Sequence, residues 1–186
     1  MTTFDSVVFK FLNGIAGKYF LVDGVYIFFS EYLIYILTLV FGIYLFKVKD
    51  WRERVQLFSL GTLGVILSRG IITPVTRFFF YNPRPFVELD ITTLINHADT
   101  GSLPSGHVAF IVPLMLTLWQ INKRLGLWGL IGALLIGISR IGVGAHWPTD
   151  ILLGFLVGAA GFATAWTFLR NRFYKKTEQE KEEELG

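Results

Sequence analysis

Residues 25–46, VYIFFSEYLIYILTLVFGIYLF, form an apolar run of 22 residues in which Glu31 is the only charged side chain. A helix of this length, rising about 1.5 Å per residue, crosses the ~30 Å hydrocarbon core of a bilayer. Four more apolar stretches follow along the chain, at 55–75, 105–121, 125–141 and 149–169. The sequence therefore predicts an all-α integral membrane protein with five membrane spans.

The two ends of the chain differ in composition from these spans. Residues 4–20 are apolar but are interrupted by Lys10, Asn13 and Lys18, which favours a helix lying in the membrane interface over a sixth span. Residues 177–186 are mostly charged and are predicted to be a disordered tail. Residues 1–176 are then a single membrane domain, a compact bundle of five to six helices.

Basic residues next to the spans predict the orientation of the bundle. If the spans alternate in direction, three basic clusters lie on one side, which the positive-inside rule makes cytoplasmic together with the C-terminus. The opposite, external or periplasmic side then carries the 76–104 and 142–148 segments. The net charge of +3 is thus explained by contact with a lipid bilayer and not with nucleic acid, and no obligate protein partner is predicted. The clusters are Lys47, Lys49, Arg52 and Arg54; Lys123 and Arg124; and Arg170, Arg172, Lys175 and Lys176.

The external segment SRIGVGAHWPTD, residues 139–150, holds three ionisable side chains. His146 and Asp150 have the i, i+4 spacing that places two side chains on one face of a helix. Asp150 can therefore accept a hydrogen bond from one imidazole nitrogen and leave the other free as a nucleophile. Arg140 adds a planar fork of donors suited to phosphate oxygens.

A second external segment, PSGH at 104–107, opens the third predicted span. Ser105 and Gly106 would lie in the first turn of that helix, where free backbone N–H groups favour an anion and glycine permits its close approach. His107 would then stand beside the anion as a proton donor.

A third segment, RFFFYNPRP at 77–85, supplies Arg77 and Arg84. The sequence has no carboxylate cluster suited to magnesium or calcium and no cysteine, and its histidines lack the further ligands of a zinc site. The pattern predicts an external phosphoryl pocket that needs neither metal nor cofactor and that uses a histidine nucleophile.

These segments resemble the three signatures of the type 2 phosphatidic acid phosphatase superfamily. Lys-x6-Arg-Pro is matched by 77–85, with Arg77 in the lysine position; Pro-Ser-Gly-His is matched in full by 104–107. Ser-Arg-x5-His-x3-Asp is matched in full by 139–150. The resemblance implies a core like that of the acid phosphatases and vanadium haloperoxidases.

The resemblance also implies a role for each matched residue. His146 would form a phosphohistidine while Asp150 stabilises its imidazolium, and His107 would protonate the leaving oxygen and then activate water. The phosphate oxygens would be held by five residues, Arg77, Arg84, Arg140, Ser105 and Gly106.

Two groups of charged residues outside the signatures allow alternative interpretations. Glu31 and Arg69 fall at similar depths in the first two spans, so a structural ion pair is expected in preference to a substrate role. His97 and Asp99 in the external loop are interpreted as solvated residues, with headgroup selection as the alternative.

An external pocket at the mouth of a lipid-facing bundle suits an amphiphilic substrate. The expected activity is a metal-independent phosphatase of the plasma membrane, acting on undecaprenyl diphosphate. Phosphatidylglycerol phosphate, phosphatidic acid and lipid A phosphates are alternative substrates. A lipid transporter or flippase that uses the same charges for binding is the non-enzymatic alternative.

Overall fold

The computed structural model describes residues 2–98 and 100–185, with side chains described only as far as residue 170. In the described residues the regular secondary structure is entirely helical, with no strand, which confirms the predicted fold class. The predicted disordered tail at 177–186 lies outside the described side chains and stays a prediction. The helices are α1 (Thr3–Asn13), α2 (Phe20–Lys47), α3 (Trp51–Phe79), α4 (Pro85–Glu88), α5 (Gly106–Ile121), α6 (Lys123–Gly142) and α7 (Pro148–Leu185).

Four of these helices, α2, α3, α6 and the part of α7 up to Arg170, are long and apolar enough to cross a membrane. The third predicted span forms the shorter α5, which has 16 residues. It is the central helix, because α2, α3, α6 and α7 all pack against it. Its Ala109, Ile111 and Met115 are completely buried, so its surroundings are mainly protein.

Two glycines of α7 allow this helix to approach α5 closely. A Cβ atom at Gly154 would lie 3.0 Å from the Val108 Cβ, and one at Gly158 would lie 2.7 Å from the Val112 Cβ. Any larger residue at either position would force the two helices apart. The close packing continues to the first turns of both helices, where the Ser105 N–H donates to the Asp150 backbone carbonyl at 2.9 Å.

The N-terminal helix α1 has 11 residues and a length of about 16 Å, too short to cross a membrane. The alternative of six spans is therefore wrong. Instead, α1 packs on the 142–150 segment at one end of the bundle. Its Phe9 ring lies 5.1 Å from the Trp147 ring, and the Asp5 carboxylate accepts a hydrogen bond from the Thr149 N–H at 3.0 Å.

Both of the first two spans contain a wide π-helical turn near the same end of the bundle. These turns are Phe28–Tyr32 in α2 and Ile66–Ile72 in α3. Such turns rotate the following side chains relative to a regular α-helix and are frequent at functional sites. They carry Glu31 and Arg69, whose contacts differ from the sequence prediction.

Candidate active site

The three signature segments meet at one end of the bundle, around the start of α5 and the start of α7. His146 lies in the short connection between α6 and α7 and is 1% exposed. Its Nδ1 lies 3.2 Å from the Asp150 Oδ2, the contact that the i, i+4 spacing predicts. Its Nε2 lies 3.2 Å from the Arg84 Nη1.

These two contacts determine which ring nitrogen of His146 carries the proton. A guanidinium has only donors, so the Nε2 that faces Arg84 must be the acceptor. The proton is then on Nδ1, which donates to the Asp150 carboxylate. The lone pair on Nε2 then faces the Arg84 N–H and is not engaged by Asp150.

The charge state of His146 fits a nucleophile. Burial, followed by the charges of Arg140 and Arg84, lowers the pKa of His146 well below its ordinary value of 6.5. The imidazole is therefore neutral at physiological pH and keeps its lone pair. The same charges favour the arrival of an anion beside it.

Asp150 is held by groups that the sequence did not single out. Its Oδ2 accepts a hydrogen bond from the Trp147 N–H at 2.8 Å. Its Oδ1 lies 3.3 Å from the Ser102 hydroxyl and 3.5 Å from the Asn82 amide nitrogen. Ser102 and Asn82 each lie within three positions of a signature residue, and this proximity was the only indication in the sequence that they belong to the site. They fix the carboxylate that orients His146.

Arg84 is buried and firmly held by carbonyl groups. Its Nε donates to the Thr100 carbonyl at 2.9 Å, and its Nη1 donates to the Ala145 carbonyl at 2.8 Å. The guanidinium plane is thereby fixed next to His146. A phosphate on His146 would find the Arg84 charge already in position, which is the preorganisation that stabilises a developing negative charge.

Arg77 occupies the position where the signature has lysine. Its Nη2 donates to the Pro104 carbonyl at 2.9 Å, while its buried Nε has no partner within the protein. The guanidinium thus uses one nitrogen to hydrogen-bond the backbone and leaves another nitrogen available, which a single ammonium group does less well. Arginine in place of lysine therefore keeps the positive charge and adds a hydrogen bond to the Pro104 carbonyl.

The expected ion pair between Glu31 and Arg69 is wrong. The Glu31 Oε1 lies 2.6 Å from the Nη1 of Arg140, and the same nitrogen donates to the Ser30 hydroxyl at 3.2 Å. Arg140 is completely buried, so this pairing compensates its charge and holds one arm of its fork. The other arm, Nε and Nη2, is left without a partner within the protein.

Four buried side-chain atoms among the described residues lack a hydrogen-bond partner, and all four belong to predicted phosphate-binding residues. They are the Arg77 Nε, the Ser105 Oγ, and the Arg140 Nε and Nη2. Ser105 is the N-cap of α5, yet its hydroxyl does not cap the helix. Each such atom costs about 1–3 kcal/mol if nothing satisfies it. Donors of this kind at a helix N-terminus suit a ligand rich in anionic oxygens.

Gly106 lies next to a side chain that the sequence did not connect with it. Its expected role, to let an anion come close to the backbone, stays a prediction. In the structure a Cβ atom at Gly106 would lie 2.8 Å from the Arg69 Nε. The absent side chain thus lets the Arg69 guanidinium lie against the first turn of α5.

His107 lies on α5 one residue further along, and its ring is only partly buried. Together with Arg69 it lines a cavity of about 280 Å³ between α2, α3 and α5. His146 does not line this cavity. The charge of His107 is nonetheless among those that lower the pKa of His146, so the two imidazoles lie near enough to interact electrostatically.

His97 lies closer to the pocket than a solvated loop residue would. Its ring centroid is 6.4 Å from that of His146, in an edge-to-face arrangement. Burial, followed by the charge of Arg84, lowers its pKa from 6.5 to about 4. The structure thus brings His97 to the site, while Asp99 lies outside the described residues. Within the described part of the chain, no three His, Cys, Asp or Glu side chains form a group that could hold a metal ion.

Comparison with known proteins identifies the class. A model of the PAP2 superfamily matches residues 58–174, which is more than half of the 186 residues. The chain belongs to this superfamily.

An undecaprenyl-diphosphatase of Bacillus subtilis (strain 168), BcrC, is 31% identical over 151 residues, covering 81% of this chain and 76% of that protein. The protein is therefore a multi-pass membrane lipid phosphatase.

Solved structures of the superfamily share the fold. The crystal structure of Aquifex aeolicus LpxE has a TM-score of 0.70 at 23% identity, covering 90% of this chain and 99% of that chain. A PAP2-type phosphatidylglycerolphosphate phosphatase from Bacillus subtilis has a TM-score of 0.62 at 22% identity, covering 90% of this chain and 85% of that chain. These similarities confirm the predicted helical core.

Proposed function

We propose that this lipid phosphatase cleaves the terminal phosphate from undecaprenyl diphosphate without a metal, through a phosphohistidine on His146. One observation carries the proposal: among the described residues, the buried side-chain polar atoms without a hydrogen-bond partner are all on Arg77, Ser105 and Arg140. Together with Arg84 they provide donors for the oxygens of one phosphoryl group beside His146. Both the charge and the geometry of the pocket thus suit phosphoryl transfer.

In the first step, the His146 Nε2 attacks the terminal phosphorus and the bond to the bridging oxygen breaks. His107 gives a proton to that oxygen, and undecaprenyl phosphate departs. The new P–N bond leaves positive charge on the imidazole ring, which the Asp150 carboxylate stabilises through Nδ1–H. The arginines meanwhile neutralise the charge on the phosphoryl oxygens.

In the second step, water attacks the phosphohistidine. His107, which is now neutral, takes a proton from the water as the P–N bond breaks, so inorganic phosphate leaves and both histidines return to their starting state. We favour undecaprenyl diphosphate as the substrate because the Bacillus subtilis relative is named as an undecaprenyl-diphosphatase. Phosphatidylglycerol phosphate, phosphatidic acid and lipid A phosphates are the competing substrates.

Phosphate release by the purified protein in EDTA, measured with each of these lipids, tests the proposal. Wild type should release phosphate fastest from undecaprenyl diphosphate, and His146→Ala and His107→Ala should lose almost all activity. Arg124→Gln, an exposed substitution at the other end of the bundle, is the control. Rapid quenching with substrate labelled on the terminal phosphate should trap an acid-labile phosphoprotein. A requirement for added metal, or label retained by His146→Ala, would contradict the mechanism.

The same proposal places the pocket at the outer surface of the plasma membrane and the C-terminus in the cytoplasm. The support is the position of the basic clusters, which lie at the ends of the helices remote from His146. Labelling of single introduced cysteines by a membrane-impermeant reagent in whole cells tests the orientation, since the natural chain has no cysteine. A cysteine at Asn96 should react and one at Asn122 should not.

A further inference from the structure

Arg69 is a fourth arginine near the site, and the phosphatase mechanism does not use it. It lies in the π-helical turn of α3, with its Nε 2.8 Å from the place where a Cβ of Gly106 would be. Glu31, its expected partner, is paired with Arg140 instead. No described acidic side chain forms a salt bridge with Arg69, so its charge is available to a ligand.

In the proposed mechanism, the cavity that Arg69 lines lies on the side of the leaving group, because His107 lines it too. His107 is the other basic residue in the lining, and His146 is not part of it. Because His107 protonates the oxygen that leaves, whatever is attached to that oxygen must extend past His107 and into this cavity. For a lipid diphosphate, the attached group is the second phosphate, which carries the lipid.

The remaining lining of the cavity fits the beginning of a lipid chain. Ile34 and Tyr35 of α2 and Phe110 of α5 form its apolar part. Tyr35 is 71% exposed on the outside of the bundle, so the cavity reaches the lipid-facing surface. A chain that starts at Arg69 can therefore continue directly into the bilayer.

We propose that Arg69 binds the lipid-side phosphate of a diphosphate substrate and so makes the enzyme selective for diphosphates over monoesters. The guanidinium holds the two non-bridging oxygens of that phosphate while the terminal phosphate lies between His146 and His107. In the product complex the same contact holds lipid monophosphate after the bridging bond has broken. A monoester has no phosphate at this position, so it gains nothing from Arg69. This inference rests on the proposed function.

Two soluble inhibitors, inorganic phosphate and methylenediphosphonate, test the contact separately from catalysis. Inorganic phosphate occupies the terminal site alone, whereas methylenediphosphonate reaches both sites. Arg69→Gln should raise the inhibition constant of the diphosphonate by about 10- to 100-fold, the usual effect of one hydrogen-bonded charge. It should raise that of inorganic phosphate less than threefold. Arg69→Lys should restore part of the difference, and Arg124→Gln should match wild type.

The kinetic counterpart compares kcat/KM for undecaprenyl diphosphate and for phosphatidic acid. Arg69→Gln should lower the ratio of the two at least tenfold, with unchanged gel-filtration behaviour and thermal unfolding. If wild type hydrolyses the diphosphate but Arg69→Gln affects both inhibitors and both substrates equally, or not at all, the inference is overturned and the proposed function stands. If wild type releases phosphate from monoesters and none from the diphosphate, the proposed function itself is overturned.

Discussion

Replacing Asp150 by asparagine isolates the charge of the residue that orients His146, the proposed nucleophile. The Asp150 Oδ2 accepts from the Trp147 N–H at 2.8 Å and faces the His146 Nδ1 at 3.2 Å. An amide oxygen in that position can accept from both groups. The new NH₂ group then occupies the place of Oδ1, next to Ser102 and Asn82.

The surrounding network can adapt to this NH₂ group. The Ser102 hydroxyl also lies 3.1 Å from the Asn82 carbonyl, to which it can donate while its oxygen accepts from the new amide. His146 thus keeps its tautomer, because Asp150→Asn still presents an oxygen to Nδ1–H. The substitution should leave the fold intact and remove only the negative charge.

The lost charge matters when the imidazole becomes positive. Two opposite unit charges about 4 Å apart interact by about 4 kcal/mol at an effective dielectric constant of 20, which is an upper limit here. We expect a barrier higher by about 3 to 4 kcal/mol, hence a kcat/KM lower by about 100- to 1000-fold. The assay is initial-rate phosphate release in detergent, with thermal unfolding measured in parallel.

The double variant Asp150→Asn/Ser102→Ala provides the control. It removes the hydroxyl oxygen that accepts a hydrogen bond from the new NH₂ group. The fold-loss in kcat/KM of the double variant should therefore exceed the product of the fold-losses of the two single variants. Ser102→Ala alone should lose less than tenfold. An Asp150→Asn variant with a kcat/KM within threefold of wild type would refute the reasoning, because the carboxylate charge would then contribute nothing to the chemical step.

Three further predictions concern the groups around the site. Glu31→Gln should reduce both thermal stability and kcat/KM, since it weakens a 2.6 Å contact to the buried Arg140; unfolding and activity assays in detergent would measure each effect, and unchanged values would argue against the pairing. Asp5→Ala should lower the free energy of unfolding by about 1–2 kcal/mol, because it removes the acceptor of the Thr149 N–H at the start of α7; equal unfolding temperatures would contradict this. Because the pKa of His146 lies well below 6.5, its imidazole should stay neutral through pH 6.5 in an NMR titration of protein labelled with 15N at histidine; a protonation step of His146 near pH 6.5 would disprove the depressed pKa.

Sequence patterns predicted the helices and the contact between His146 and Asp150 because both depend on local periodicity. Apolar runs of sufficient length specify spans without reference to the rest of the chain. The i, i+4 spacing of His146 and Asp150 specifies their contact once a helix begins at Pro148. The serine of PSGH was likewise expected at a helix start, and Ser105 is the N-cap of α5.

The partner of Glu31 could not be found in the same way. Depth along a span was the argument for Arg69, but depth says nothing about which side of the helix a residue faces. The π-helical turns at Phe28–Tyr32 and Ile66–Ile72 change that direction within the very segments concerned. Glu31 and its true partner Arg140 are 109 residues apart, and their meeting depends on how α2 packs against α6.

Residues of the 80–105 loop were missed for a related reason. Ser102 and Asn82 act through a carboxylate that is 48 and 68 residues further along the chain. Neither lies in a periodic segment, and each belongs to a residue type that is common in loops. Only a folded chain shows that both face Asp150.

The polar groups buried in this bundle fall into two sets with opposite requirements. Asp150 and Arg84, which both contact the His146 ring, are supplied with partners by the protein itself. Those on Arg77, Ser105 and Arg140 keep atoms that the protein does not satisfy. Burying unsatisfied donors destabilises the fold. If these charged side chains had only a structural role, all of their buried donors would be expected to have partners within the protein. Among the described side chains the deficit is confined to three residues of the signature segments, which is the pattern that the proposed binding of a phosphoryl group requires.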